Sequence, residues 1–283
     1  MSDFSIKKFF KPEQPSDEST GENFLVEMDF SQLEVCGLAE ITNDTVLKNE
    51  LDNGVDIHTE NAKLWLGRKP TPDERKKAKV MTFQLQYGAG ASKMAQTLAI
   101  PEKEAQDFIK SFYKKYEAVN EFHKALSAAK RIAEADPARQ YIAFDDPAGR
   151  VYKFVKTVTE GGQPYFSLTQ MKNYPIQGFS TGAVVPIVVN LIQDDILKTF
   201  EGQHDYPIRI VNTIHDSLAF EVYGGDNIKL LFKIVEDSFV KFPKYFESLF
   251  DYVLTVKYNY DIKVGKTWSE MEKLTRSEVQ SII

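Results

Sequence analysis

The chain has 283 residues, 42% of them hydrophobic and 27% charged, the composition of a soluble globular protein of one large domain or two small ones. No apolar run approaches membrane-spanning length and no secretion leader opens the sequence, so neither a membrane partner nor export is expected. A single cysteine, Cys36, excludes an internal disulfide and fits a reducing cytoplasm, while a net charge of −6 argues against nucleic-acid binding by charge sum and makes charge placement the informative quantity.

Residues 11–22 have two prolines and no apolar periodicity, and are expected to form a disordered linker. A strand is predicted at about 24–29, then a helix from Ser31 to Ile41 on which Cys36 serves as small apolar packing. Pro70-Thr-Pro-Asp-Glu74 starts a helix capped by Thr71 or Asp73, which runs to about Tyr87 and stops at Gly88. Arg68, Lys69, Arg75, Lys76, Lys77 and Lys79 make this stretch locally basic on an otherwise acidic chain. Residues 101–135 form a helix–turn–helix, and residues 139–170 alternate like hairpins with turns at 145–149 and 161–162. A long apolar helix is expected from about Gln177 to Thr199. Two strands flank His215-Asp216, a helix covers 226–242, and a strand covers about 252–258. Helices mixed with antiparallel hairpins give an α+β fold.

Within the helix over 74–88, Arg75, Lys79, Phe83 and Tyr87 recur every four residues along about 18 Å of nearly one face. Two cations, a ring and a phenol in line suit a nucleoside triphosphate. A solvated basic face over a core seam is the plainer interpretation of the same pattern. Asp29-Phe-Ser-Gln-Leu-Glu34 follows the first strand, and Ile214-His-Asp-Ser217 joins two others. An aspartate at such a place is, alone, commonly a turn or helix cap. In this order, however, the three segments resemble the motifs of family A DNA polymerases, the bacterial DNA polymerase I type: a carboxylate motif, the fingers helix, and a second carboxylate motif. Asp56-Ile-His-Thr-Glu60, Asn173-Tyr-Pro-Ile-Gln-Gly178 and Gly265-Lys-Thr-Trp268 resemble the segment before the fingers, the minor-groove reading helix, and the closing strand and turn. The resemblance covers roughly residues 24–270.

The resemblance implies template-directed DNA synthesis from dNTPs on a primer–template, by two-metal nucleotidyl transfer. Two Mg²⁺ ions would be held by Asp29, Asp216 and the Phe30 carbonyl, hard oxygen donors suited to that ion. Arg75 and Lys79 would bind the triphosphate, with Lys79 also the general acid toward pyrophosphate. Phe83 would stack by sugar and base, and Gln32 and His58 would join the nucleotide site; for His58, a structural hydrogen-bonder near a helix start is the alternative. Glu34 with Tyr87 resembles the gate that excludes a 2′-hydroxyl, and so favours DNA over RNA synthesis. Asn173 and Gln177 resemble minor-groove readers, and His215 would brace the primer end. Arg150 fits an ordinary surface arginine better than the family's hairpin arginine. Ser217 replaces the usual second carboxylate, Cys36 a frequent arginine, and Gln84 a common glycine.

The expected layout is a tail at 1–22, palm at 23–62, fingers at 63–138 and palm again at 139–283. Only 28 residues precede Asp29, so no thumb or proofreading exonuclease is expected in this chain. It would be either the catalytic subunit of a split enzyme with a separate thumb- and exonuclease-bearing subunit, which the distinctive N-terminal peptide favours, or a fragment, and nucleoid-associated in the cytoplasm of a bacterial or phage-infected cell. Ile6, Phe9 and Phe10 within residues 3–10 have the spacing of a sliding-clamp-binding peptide, although Asp3 stands where glutamine is customary. A frayed terminus with incidental aromatics, or a segment packed on this protein's own core, is the alternative. A catalytically idle scaffold bridging a clamp and replication proteins is the competing function, and it has no chemical need for Asp29, Asp216, Arg75 and Lys79 together.

Overall fold

The structure is a computed structural model that describes residues 10–12, 22–158, 161–203, 205–275 and 277–278. Ile6, Phe9 and most of the expected linker lie outside these residues. In chain order the elements are β1 (Asn23–Ser31), α1 (Leu33–Thr42), α2 (Thr45–Asp52), α3 (Ile57–Leu66), α4 (Pro72–Gln86), α5 (Ala91–Leu98), α6 (Glu102–Lys115) and α7 (Glu117–Ala135). There follow β2 (Tyr141–Asp145), β3 (Val151–Val155), β4 (Thr157–Val158), β5 (Pro164–Tyr165), α8 (Leu168–Phe179) and α9 (Val185–Thr199). The described chain closes with β6 (Ile208–Ile214), β7 (Ser217–Tyr223), α10 (Asp226–Phe250), β8 (Asn259–Gly265) and β9 (Glu272–Leu274). The fold is α+β, as expected.

Two compact units divide the chain. The first holds residues 1–33, 181–253 and 258–283, and the second holds 34–180 and 254–257. The second unit thus groups 34–62 and 139–180 with residues 63–138.

The first unit is built on an antiparallel sheet of order β6-β7-β1-β8-β9. Successive side chains of a strand point to opposite faces. Val26, Met28 and Phe30 of β1 are therefore buried together, and Phe30 meets Phe239 of α10 at 5.3 Å between ring centroids. The alternate face carries Glu27 and Asp29. Helix α10 buries Leu231, Phe232, Val235, Phe242 and Phe246, and runs to Phe250 where the sequence predicts an end at 242. Pro243 lies inside it, a residue that ordinarily ends a helix.

The strand expected at 252–258 is absent. The carboxylate of buried Glu40 accepts from the Thr255 and Val256 amides and the Thr255 hydroxyl, and Asp52 accepts from the Lys257 amide. With those donors spent on side chains, the ladder strand begins only at Asn259.

The second unit is mainly helical. A buried polar chain fixes the back of α4: the Tyr116 hydroxyl donates to Glu50 and Asn61, Asn61 donates to Thr82, and Thr82 donates to the Ala78 carbonyl. A separate apolar cluster, Leu126, Ala133, Phe154, Phe166 and Met171, seats the β2–β3 hairpin. Helix α8 starts nine residues before the expected Gln177, capped by the Ser167 hydroxyl, and carries Pro175 internally. It continues through a π-helical stretch, Ser180–Val184, into α9. Residues 168–199 thus make one helix long and apolar enough to cross a membrane by length and composition. More than half of its most apolar window is buried in the protein, as in a core helix. The expectation that no apolar run approaches that length is thereby corrected: residues 174–193 hold no charged side chain, although interspersed polar residues and Pro175 and Pro186 break up the run.

Candidate active site

The two carboxylate motifs lie on neighbouring strands of the first unit. In the β1–β7 ladder Asp29 stands opposite Ser217, and the Phe30 amide donates to the Asp216 carbonyl at 2.9 Å. A two-residue turn between Ile214 and Ser217 carries His215 and Asp216, with His215 in the left-handed region at φ 54° and its side chain exposed. The Ser217 hydroxyl donates to the Ile214 carbonyl, so it serves the turn. One backbone bond, from Phe30 to Asp216, thus brings together two motifs 186 positions apart in sequence. The electrostatics agree: burial, then the Asp216 charge, pushes the Asp29 carboxyl up to about 6.

Asp29 belongs to a row of charges that the sequence reading missed. Glu27 is 7% exposed in a strand of apolar neighbours. It accepts from its cross-strand partner Lys263 and from the Trp268 indole at 2.7 Å. Asp261 stands across from Asp29 and accepts from Lys273 at 2.7 Å. The signal was legible: a glutamate interrupts Phe24-Leu-Val-Glu-Met28 two residues before an aspartate, on the same strand face. Trp268 also donates its amide to the Phe10 carbonyl, and the Phe10 ring meets it edge-on at 5.4 Å. Phe10, 48% exposed, is therefore engaged with its own chain, whereas Ile6 and Phe9 lie outside the described residues.

The cation–aromatic stripe lies in the second unit. Helix α4 is closed at its start by a capping box of Thr71 and Glu74, with Pro72 in its first turn, so Thr71 is the cap. Ala78, Met81, Thr82 and Leu85 are buried, which leaves Arg75, Lys79, Phe83 and Tyr87 on the more open side. The core seam therefore forms the back of the helix, and the stripe lies along its more open side. The Lys79 ammonium lies 5.6 Å from the Phe83 ring centre, and Phe83 stacks on Tyr87 at 6.1 Å. Arg75 makes a two-point ion pair with Asp56, the residue that caps α3. Burial alone would raise the Asp56 carboxyl, but the Arg75 hydrogen bond and charge hold it below the usual range.

His58 is 3% exposed, packs on Phe83 at 5.5 Å, and is pushed down to about 4 by burial and then by Lys79. It is neutral at pH 7 and so brings no charge to a phosphate. The Tyr87 hydroxyl donates to the Glu34 carboxylate, the pairing expected from sequence. Burial, followed by that bond, raises the phenol, while Gln177 bonds to the same hydroxyl. Asn173 lies one turn before Gln177 on α8, and its side-chain oxygen is buried without a partner among the described residues. Gln32 is in the left-handed region at φ 57° between β1 and α1. Gln84 donates to Thr97 of α5, a structural tie between helices. Arg150 donates to the Gly178 carbonyl at 3.0 Å, so it braces α8 and is more than a surface arginine.

Among the described residues no cluster of three or more His, Cys, Asp or Glu forms a metal cage. Two adjacent carboxylates, one with a raised pKa, instead fit a hard cation that takes its remaining oxygens from a substrate.

A family model described as DNA polymerase family A matches residues 2–270. The chain is similar to DNA polymerase I of Borreliella burgdorferi, 24% identical over 94% of this chain and 26% of that protein. It is also similar to the thermostable DNA polymerase I of Thermus filiformis, 26% identical over 88% of this chain and 27% of that one. Helicobacter pylori DNA polymerase I is 27% identical over 72% of this chain and 21% of that protein. The chain thus spans about a quarter of the length of the curated relatives it matches. Among solved structures, the POL domain of M. smegmatis Pol1, in complex with DNA primer-template and dNTP, shares the fold at a TM-score of 0.64. The match has 21% identity and covers 93% of this chain and 42% of that one.

Proposed function

Because the chain belongs to DNA polymerase family A over residues 2–270, we propose that it adds dNTPs to a primer 3′-hydroxyl on a DNA template. The observation that carries this is the joining of Asp29 to Asp216 through the Phe30–Asp216 backbone bond, with the Asp29 carboxyl raised by burial and by its neighbour. Two like charges side by side are relieved by a divalent cation. Asp29, Asp216 and the Phe30 carbonyl would hold the ions. Mg²⁺, when bound, would activate the attacking hydroxyl and stabilise the leaving oxygen.

The remaining roles belong to this chain's own side chains. Lys79, exposed beside Phe83, would bind the triphosphate and protonate the departing pyrophosphate. Arg75 would exchange one carboxylate partner, Asp56, for a phosphate. Phe83 and Tyr87 would line sugar and base, with His58 behind Phe83 as its support and Gln32 beside the sugar. Glu34, held by Tyr87, would fill the 2′ position. Asn173 and Gln177 would read the minor groove, and His215 would brace the primer end. The palm role would fall to residues 23–62 and 139–283, which carry Asp29 and Asp216, and the fingers role to residues 63–138, which carry α4.

Few cations are available here to grip a duplex, so a thumb would be supplied elsewhere, in the same polypeptide or on a separate subunit. A proofreading exonuclease would likewise lie outside these motifs. A sliding clamp bound through Ile6, Phe9 and Phe10 fits the peptide spacing, and would require Phe10 to leave Trp268. Primer extension by this chain, supplemented with a thumb-bearing polymerase segment, tests the function. Asp29→Ala and Asp216→Ala should each lower nucleotide addition by several powers of ten. Extension within about tenfold of wild type by either variant would sink the assignment.

A further inference from the structure

Within the second unit, α1 and the end of α8 meet with no room for a side chain between them. A Cβ placed on Gly37 of α1 would lie 2.0 Å from Ser180 Oγ, 3.3 Å from the Ile176 carbonyl oxygen and 3.4 Å from Ser180 Cβ. Gly37 stands inside a helix, where glycine is a poor choice, and no positive φ calls for it. Close approach of the two backbones is what requires glycine here. Ser180 is fully buried, follows the last residue of α8 and opens the π-helical stretch.

The contact lies one turn from two residues of the candidate site. Glu34 precedes Gly37 by three positions on α1, and Gln177 precedes Ser180 by three on α8. Residues three apart are neighbours on a helix surface. The Tyr87 hydroxyl donates to Glu34 and bonds to Gln177 as well. One phenol oxygen can reach both partners only while α1 and α8 keep their spacing.

We propose that Gly37 and Ser180 are positioning residues that determine specificity: their contact sets the separation of α1 and α8, and so holds Glu34 at the 2′ position and Gln177 at the base-pair edge together. The inference rests on the polymerase reading above, and adds to it that sugar choice and base-pair choice are fixed by one helix–helix contact. Neither residue touches the nucleotide. A methyl group at position 37 meets the Ser180 hydroxyl. Even with that hydroxyl turned aside, the Ile176 carbonyl and Ser180 Cβ leave no slack for anything larger. A wedge here moves Glu34 relative to Gln177, and a misplacement of about 1 Å can cost about 100-fold in a reacting geometry. The competing role is plain packing, in which the same wedge lowers stability and leaves selection alone.

The test is single-nucleotide addition by the full chain, with a thumb-bearing polymerase segment, using the correct dNTP, the matching rNTP and a mismatched dNTP. Thermal melts of each variant run alongside. Gly37→Ala should lower both the dNTP-over-rNTP and the correct-over-mismatched efficiency ratios about tenfold, and Gly37→Val should lower them further. Gly37→Ala/Ser180→Ala removes the oxygen that the new methyl group meets, and should restore both ratios to within about threefold of wild type. Unchanged ratios in folded Gly37 variants, or ratios left unrestored in the double variant, overturn the inference; the polymerase reading stands if Glu34→Ala still alters sugar selection. Should both single Gly37 variants fail to fold, Ser180→Ala decides. It loosens the contact without a clash and should lower both ratios about threefold, and unchanged ratios there overturn the inference too. No nucleotide addition by the wild-type chain under these conditions overturns the polymerase reading and this inference with it.

Discussion

Asp29 carries the residue-scale consequences. Its carboxyl sits at about 6 against an ordinary 3.8, so between those values the folded chain keeps a proton that the unfolded chain has released. The stability tied to this group is full below about pH 4 and is lost as pH rises through 6. Without divalent metal, Asp29→Asn should therefore melt higher than wild type at pH 7.5 and with it at pH 4. After allowance for solvent screening the gain is about 1 kcal/mol, or roughly 2–4 °C. Thermal melts in chelator across that pH range check this, and equal melting at pH 7.5 would show that the aspartate is not under strain. His58 acts in the opposite sense: its depressed value gives stability that is present above 6.5 and lost as pH falls toward 4. Glu34 gives a catalytic prediction. Held by Tyr87, it should set sugar selection, so Glu34→Ala should lower the dNTP-over-rNTP efficiency ratio at least tenfold; an unchanged ratio would place the gate elsewhere. The pairing of Glu34 with Tyr87 was legible in sequence because both sit in recognisable motifs. The Arg75–Asp56 pair was not. Both motifs were visible, but nothing in their separation of 19 residues says that they touch.

At the scale of elements, α3 and α4 form the clearest case. Asp56 caps α3 through the His58 amide, accepts from the Thr59 hydroxyl, and holds Arg75 of α4. Asp56→Ala should cost roughly 1–2 kcal/mol: a lost cap of about 1 kcal/mol plus at most about 1 from a half-exposed ion pair. Urea unfolding of Asp56→Ala, Arg75→Ala and the double variant separates the two parts. A double-variant loss equal to the sum of the single losses would mean that the pair contributes nothing. The start of α4 followed from local chemistry, Thr71, Pro72 and Glu74 within four residues. The start of α8 did not, because Pro175 reads as a boundary unless neighbouring packing tolerates it. The strand at 252–258 failed for a related reason. Its β-branched residues are suitable, but Glu40, more than 200 positions away in sequence, takes the amides that a ladder needs.

At the scale of the whole molecule, net charge and the N-terminal peptide make the predictions. With a formal charge of −6, the chain alone should bind primer–template weakly, lose it as salt rises, and extend it distributively. Long products from this chain alone at ~150 mM salt would refute that expectation. Phe10 sets two roles against each other. If residues 3–10 dock on a clamp, a synthetic peptide of residues 1–15 should bind the clamp with micromolar affinity, about −8 kcal/mol. Release of Phe10 from Trp268 should then shift the indole fluorescence of the full chain. No peptide binding at hundreds of micromolar, together with a lower melting temperature for Phe10→Ala, would assign Phe10 to this protein's own surface. By itself, the sequence determined the α+β class, the capped and periodic helices, and the residue types able to handle metal, phosphate and sugar, because spacing and capping are properties of neighbouring residues. Beyond the Asp29–Asp216 pair that the resemblance implied, only the tertiary structure decided which charges meet: Glu27 with Lys263, and Arg75 with Asp56. Burial and proximity between distant segments set the energy of a charge, and neither is written in any local stretch of chain.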